Sequence, residues 1–150
     1  AAQGTFISST NWTERIGPVA ALATIKKLTK TDTPGRLAKI GKSVKGVWEK
    51  AGEKHSVPIT VGGSDAIANF SFSGPDAQAL KTLFVQEMLA QKILASNLFF
   101  GTLAHTPAHM KQYAKAVDKA FALLKSAIDT GTVLKKLNGP IAHIGFARLN

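Results

Sequence analysis

Apolar residues crowd the stretch from Ile16 to Leu28, where Val19, Ala20, Leu22, Ala23 and Ile25 cover much of a helical circumference. That distribution predicts a helix buried on more than one side. Pro18 falls in its first turn, where a missing N–H does no harm. Asp32-Thr33-Pro34, a capping residue followed by proline, opens a second predicted helix. Leu37, Ile40, Val44, Val47 and Trp48 form its stripe, down to about Lys54. The period then changes. Residues 57–61 read as a strand, Gly62-Gly63 as a turn, and residues 67–72 as a second strand with alternating faces. Ser73-Gly74-Pro75-Asp76 opens a third helix with Leu80, Phe84 and Met88 on one face, and a third strand is expected from about Leu94 to Leu103. Thr106-Pro107 repeats the cap-plus-proline signal before the longest helix, whose stripe is Met110, Tyr113, Val117, Phe121, Leu124 and Ile128, stopped by Gly131. The tail from Val133 shows no sustained period. The order α-α-β-β-α-β-α predicts an α+β fold, a small three-stranded sheet covered by helices and preceded by a long connector helix.

A chain of 150 residues with 45% apolar and 19% charged side chains suits one globular domain with a proper core. No apolar run reaches the roughly 18 residues a membrane-spanning helix needs, and the front end lacks the layout of a secretory signal. The expectation is a soluble, cytoplasmic protein with no membrane partner. The chain has no cysteine, which removes disulfides, thiolate nucleophiles and cysteine-based metal sites, and fits a reducing compartment. A net charge of +10 raises the alternative of a basic α+β module that binds nucleic acid or another polyanion. The lysines argue against it: Lys39, Lys42, Lys45, Lys50, Lys111, Lys115, Lys119 and Lys125 are scattered singly along predicted helices, without interleaved aromatics.

Candidate chemistry is sparse. His105 and His109 have the spacing of two metal ligands on one helical face, but Thr106-Pro107 puts the helix start between them, and no third ligand has suitable spacing. No metal site is expected. His55 and His143 have no partner visible in the sequence. Gly62-Gly63-Ser64-Asp65 lies between two strands rather than at a strand-to-helix bend, so it is not a nucleophile elbow. Neither glycine-loop phosphate motif occurs. What stands out is the front: Ser8, Ser9, Thr10 and Thr13 precede the first helix, with Arg15 adding charge. Hydroxyls and free N–H groups at a helix N-terminus suit a phosphate. On composition alone, simple capping is the more frequent role of such residues.

The segment Thr10-Asn11-Trp12-Thr13-Glu14-Arg15-Ile16-Gly17-Pro18-Val19-Ala20-Ala21-Leu22-Ala23-Thr24-Ile25 resembles the one that follows the cofactor lysine in class III aminotransferases of fold type I, in the branch that contains glutamate-1-semialdehyde aminomutase. Leu94-Ala95-Ser96, Gly101-Thr102-Leu103-Ala104-His105-Thr106 and Gly139-Pro140-Ile141-Ala142-His143-Ile144-Gly145-Phe146 continue the resemblance in the family's order. Asn11 departs from it, standing where the family has an aromatic residue.

The resemblance implies the C-terminal part of a pyridoxal 5'-phosphate enzyme, an aminotransferase or aminomutase that moves an amino group through the pyridoxamine form of its cofactor. Residues 1–15 would be a phosphate-loop remnant of the large domain, 16–30 the connector helix and 31–150 the small C-terminal domain. Thr13, five residues before Pro18, matches the family threonine that binds the cofactor phosphate across a homodimer interface. Thr10 and Ser9 would join it. Arg15 and Arg148 are candidates for the carboxylate of a small amino-acid or amino-aldehyde substrate. None of the lysines sits in the family's Schiff-base motif, so the chain is expected to be inactive alone.

Overall fold

A computed structural model describes Gly4 and residues 14–145. The chain divides into two units, Ala1–Pro34 and Gly35–Asn150. In the first, helix α1 spans Ile16–Lys30. None of its residues is buried, and Ile16, Val19, Leu22, Ile25 and Leu28 are all exposed, Ile16 by 76%. An apolar helix is thus present as expected, while the burial anticipated for its residues is not observed.

Helix α2 covers Thr33–His55. Asp32 does not cap it, because its backbone is left-handed (φ 44°); the Thr31 and Thr33 hydroxyls lie 2.7 Å apart at this junction. In the second unit, strand β1 (Ile59–Gly63) pairs antiparallel with β2 (Ile67–Phe72), which pairs antiparallel with β3 (Leu98–Phe100). Helices α3 (Ala77–Ala90) and α4 (Pro107–Asp129) complete it, and a 3-10 turn follows at Leu134–Lys136. The predicted α+β class and element order hold.

β2 lies in the middle of the sheet and alternates strictly, with Ala68, Phe70 and Phe72 buried and Ile67, Asn69 and Ser71 exposed. Phe70 is the hub. Its ring lies 4.8 Å from Trp48 of α2, 5.3 Å from Phe84 of α3 and 6.1 Å from Phe121 of α4, centroid to centroid. The contact with Phe84 is edge-on and the other two are tilted, avoiding the face-to-face sandwich that the ring quadrupole disfavours. Val44, Leu83, Met88, Val117 and Leu124 fill the space around the aromatic cluster, all fully buried. Removing a ring of this kind to alanine destabilises a domain by about 3–5 kcal/mol.

Details of several elements differ from the sequence expectation. The hairpin turn is Ser64-Asp65-Ala66, not Gly62-Gly63: both glycines remain in β1, opposite Asn69 and Ala68. Gly63 adopts φ 78° and packs where a Cβ would strike the Ile67 carbonyl, so its glycine serves a close approach rather than the turn itself. The third strand is only three residues long. Beyond it the Asn97 carbonyl accepts from the Phe70 N–H at 3.0 Å and the Asn97 amide donates to the Phe70 carbonyl at 2.8 Å, so one side chain finishes the ladder. In α4, Ala127 is buried and Ile128 is exposed, because the buried face drifts round the helix by its last turn.

Helix ends were equally hard to foresee. Ser56, Lys92 and Gly131 all adopt the left-handed conformation just past α2, α3 and α4, the position where glycine is usual. The N–H groups of Val57, Ile93 and Thr132 then reach back to Gly52, Met88 and Ala127 at 3.0, 3.0 and 2.9 Å. Only one of these three stops is spelled with glycine.

Gly41 of α2 gives a sign test of the packing. A Cβ there would fall on the carbonyl oxygen of Asp65 in the hairpin turn. Helix propensity alone makes Gly41→Ala stabilising by about 1 kcal/mol, whereas overpacking makes it destabilising by about 3 kcal/mol. Urea unfolding is expected to show the loss; a more stable variant would mean that the turn is not seated on α2.

Candidate functional site

Of the residues singled out at the front of the chain, Ser9, Thr10 and Thr13 lie outside the described residues, as does Arg148 at the tail. Arg15 is described. It is the N-cap of α1 (φ −83°, ψ −16°), is exposed, and makes no side-chain capping hydrogen bond. The first turn of α1 therefore takes no cap from this residue's side chain, and Val19 N–H bonds the Arg15 carbonyl at 3.0 Å. Pro18 falls in that first turn, as expected.

The histidines are brought into local structure. Thr106 caps α4: its hydroxyl accepts from the His109 N–H at 3.3 Å, and the His109 Nδ1 accepts in return from the Thr106 N–H at 3.3 Å. This is a capping box with histidine in the place of the usual Glu or Gln. His105 repeats the pattern one turn earlier, its Nδ1 accepting from the Thr102 N–H at 3.1 Å. Its ring stacks on Phe99 at 4.9 Å. Among the described residues no three His, Asp or Glu side chains cluster as metal ligands do. His55, which has no partner legible in the sequence, finds one in space: its Nε2 lies 2.8 Å from Asp118 Oδ1 of α4, and the Lys54 Nζ lies 2.7 Å from the same oxygen. The hydrogen bond from Lys54, and then that with His55, holds the Asp118 carboxyl below its usual range.

The turn Ser64-Asp65 is likewise structural. Asp65 accepts from Lys45 at 3.2 Å and lies 3.6 Å from Lys42, and Ser64 Oγ accepts from the Ile67 N–H at 3.1 Å. These groups fasten the hairpin to α2 and activate no nucleophile.

One feature had no sequence signal. A cavity of about 590 Å³ opens where the turn after α3, strand β3 and the first turns of α4 meet. Tyr113 forms part of its wall, and the Tyr113 hydroxyl accepts from the Trp48 indole N–H at 2.8 Å. Residues 92–113 meet here only because the chain folds back through β3. No periodicity in the sequence announces such a meeting.

No protein-family model matches the chain. No curated protein matches it either. Among solved structures, the architecture resembles part of a pyridoxal-phosphate protein. That structure is the PLP internal aldimine form of the FumI protein of Sphingopyxis sp. MTA144, similar at a TM-score of 0.73 and 17% identity over 86% of this chain. The chain spans 32% of the length of the FumI chain. At this identity the likeness is one of fold.

Tyr113 offers a direct check on the packing around the cavity. Burial pushes its hydroxyl up from 10.0 to about 12, against the smaller opposing effect of the hydrogen bond from Trp48. The folded state thus keeps a proton that the unfolded chain loses near pH 10, so this residue's contribution to stability is complete below pH 10 and is lost as pH rises to about 12. Tyr113 is the one tyrosine in the sequence, so the rise in absorbance at about 295 nm that accompanies phenolate formation reads it alone. A phenolate midpoint near 12 is expected; a midpoint near 10 would place the ring in solvent.

Proposed function

We propose that this chain is the C-terminal part of a class III, fold type I pyridoxal 5'-phosphate enzyme, an aminotransferase or aminomutase, working as a homodimer on a small amino-acid or amino-aldehyde substrate. The observation that carries this reading is the fold likeness to FumI over 86% of the chain, joined to the family-like segment 10–25. Residues 16–30 are read as the connector helix and 31–150 as the small domain. The exposed apolar surface of α1 supports a connector whose covering partner lies in other sequence.

The donor chemistry fits one end of the cofactor and not the other. Ser9, Thr10 and Thr13 supply hydroxyls suited to a phosphate, and Arg15, two residues after Thr13, is an exposed cation. For the ring end, no lysine among the described residues is buried. The electron-accepting ring that pyridoxal phosphate supplies when bound stabilises charge at the substrate's α-carbon. The chain's own part is placement. Thr13 anchors the phosphate of the neighbouring subunit's cofactor and so orients its ring, while Arg15 or Arg148 holds the substrate carboxylate.

In the full-length protein, Thr13→Val is expected to weaken pyridoxal phosphate binding about tenfold to a hundredfold, the range for one hydrogen bond to a charged group. Thr13→Ser should retain most of the affinity. Fluorescence titration of the cofactor measures both, and unchanged affinity in the valine variant would remove Thr13 from the site. The chain by itself is expected to develop no absorbance band from a lysine-linked cofactor. If such a band forms and disappears when one of its own lysines is replaced, the chain holds a catalytic lysine and the partial-enzyme reading is wrong.

A further inference from the structure

The cavity beside β3 involves none of residues 9–15 and is independent of the reading above. We infer that it is a binding site for a small monocarboxylate with an apolar tail. Its walls are apolar, formed by Leu98, Phe100, Met110 and the ring of Tyr113. Lys92, His105 and His109 line it beside the neutral Ser96 and Gln112, and among the described residues that do so none is acidic.

His105 is a donor for a definite reason. Its Nδ1 accepts the Thr102 backbone N–H at 3.1 Å, which requires a lone pair there, so the proton of the neutral ring resides on Nε2 and that N–H remains to donate. The Nδ1 of His109 meets both a donor and an acceptor, the Thr106 N–H at 3.3 Å and the Ala104 carbonyl at 3.2 Å. A carboxylate accepts the bond from His105 and meets the Lys92 ammonium without an opposing charge. An amine or a phenol without negative charge gains less. A cavity of about 590 Å³ falls in the ordinary range of small-ligand pockets and suits a tail of roughly six to ten carbon atoms.

Lys92 makes the test clean. It occupies the left-handed position after α3 (φ 62°), where glycine is the unstrained residue. Lys92→Gly removes the cation and should raise the urea midpoint rather than lower it, so weaker binding cannot be ascribed to unfolding. The probes are octanoate and its uncharged amide, octanamide, titrated into the chain by calorimetry and followed by NMR. Octanoate is expected to bind saturably, shifting the ring resonances of His105 and His109 and the methyl of Met110. Octanamide should bind about tenfold more weakly, and Lys92→Gly should weaken octanoate about fivefold, as for a partly exposed ionic contact. Equal binding of acid and amide, an unaltered affinity in the glycine variant, shifts that map elsewhere, or no saturation at millimolar octanoate would each overturn the assignment.

Discussion

The second unit is organised around one ring. Phe70 stands on the middle strand with its side chain inward, and α2, α3 and α4 each bring an aromatic ring to it. A sheet this small is stable only with an apolar face to bury. It persists because its inner face, Ala68, Phe70 and Phe72, is closed by Trp48, Phe84 and Phe121. Burial of these rings supplies the favourable free energy, and their tilted contacts select one arrangement among several compact ones.

Around that cluster the polar contacts select geometry more than they add stability. The Trp48 indole must find an acceptor once buried, and Tyr113 provides it, tying α2 to α4 at 2.8 Å. Asp118, midway along α4, holds the C-terminal end of α2 through His55 and Lys54, and its carboxylate is more than a third exposed and so screened by water. Asp65 draws the hairpin turn onto α2 through Lys45, where Gly41 leaves room for the turn's backbone. Each device fixes where a loop or helix end lies, and the cavity beside β3 is formed between elements held this way.

Helix α1 obeys a different rule. Its apolar residues are exposed, and an exposed apolar helix carries an unmet demand for a covering surface. On the proposed reading that surface belongs to the larger body of a pyridoxal-phosphate enzyme, and the hydroxyls before α1 act on a cofactor held by another subunit. The physical division is between a unit that closes its own core and a helix that does not.

The sequence by itself determined the element order, the alternation of β2, the buried stripes of α3 and most of α4, and the Thr106-Pro107 start of α4. All of these are set by local periodicity or by capping chemistry within one turn of chain. The same local signals drew attention to the hydroxyls Ser9, Thr10 and Thr13. Tertiary structure alone decided the hairpin turn at Ser64-Asp65, the short β3 completed by Asn97, the left-handed stops at Ser56 and Lys92, and the meeting of His55 with Asp118. Each of these depends on a partner dozens of residues away or on packing that holds a backbone in an uncommon conformation. A one-dimensional pattern carries no distance between such residues, so their contacts exist only once the core around Phe70 has brought the chain together.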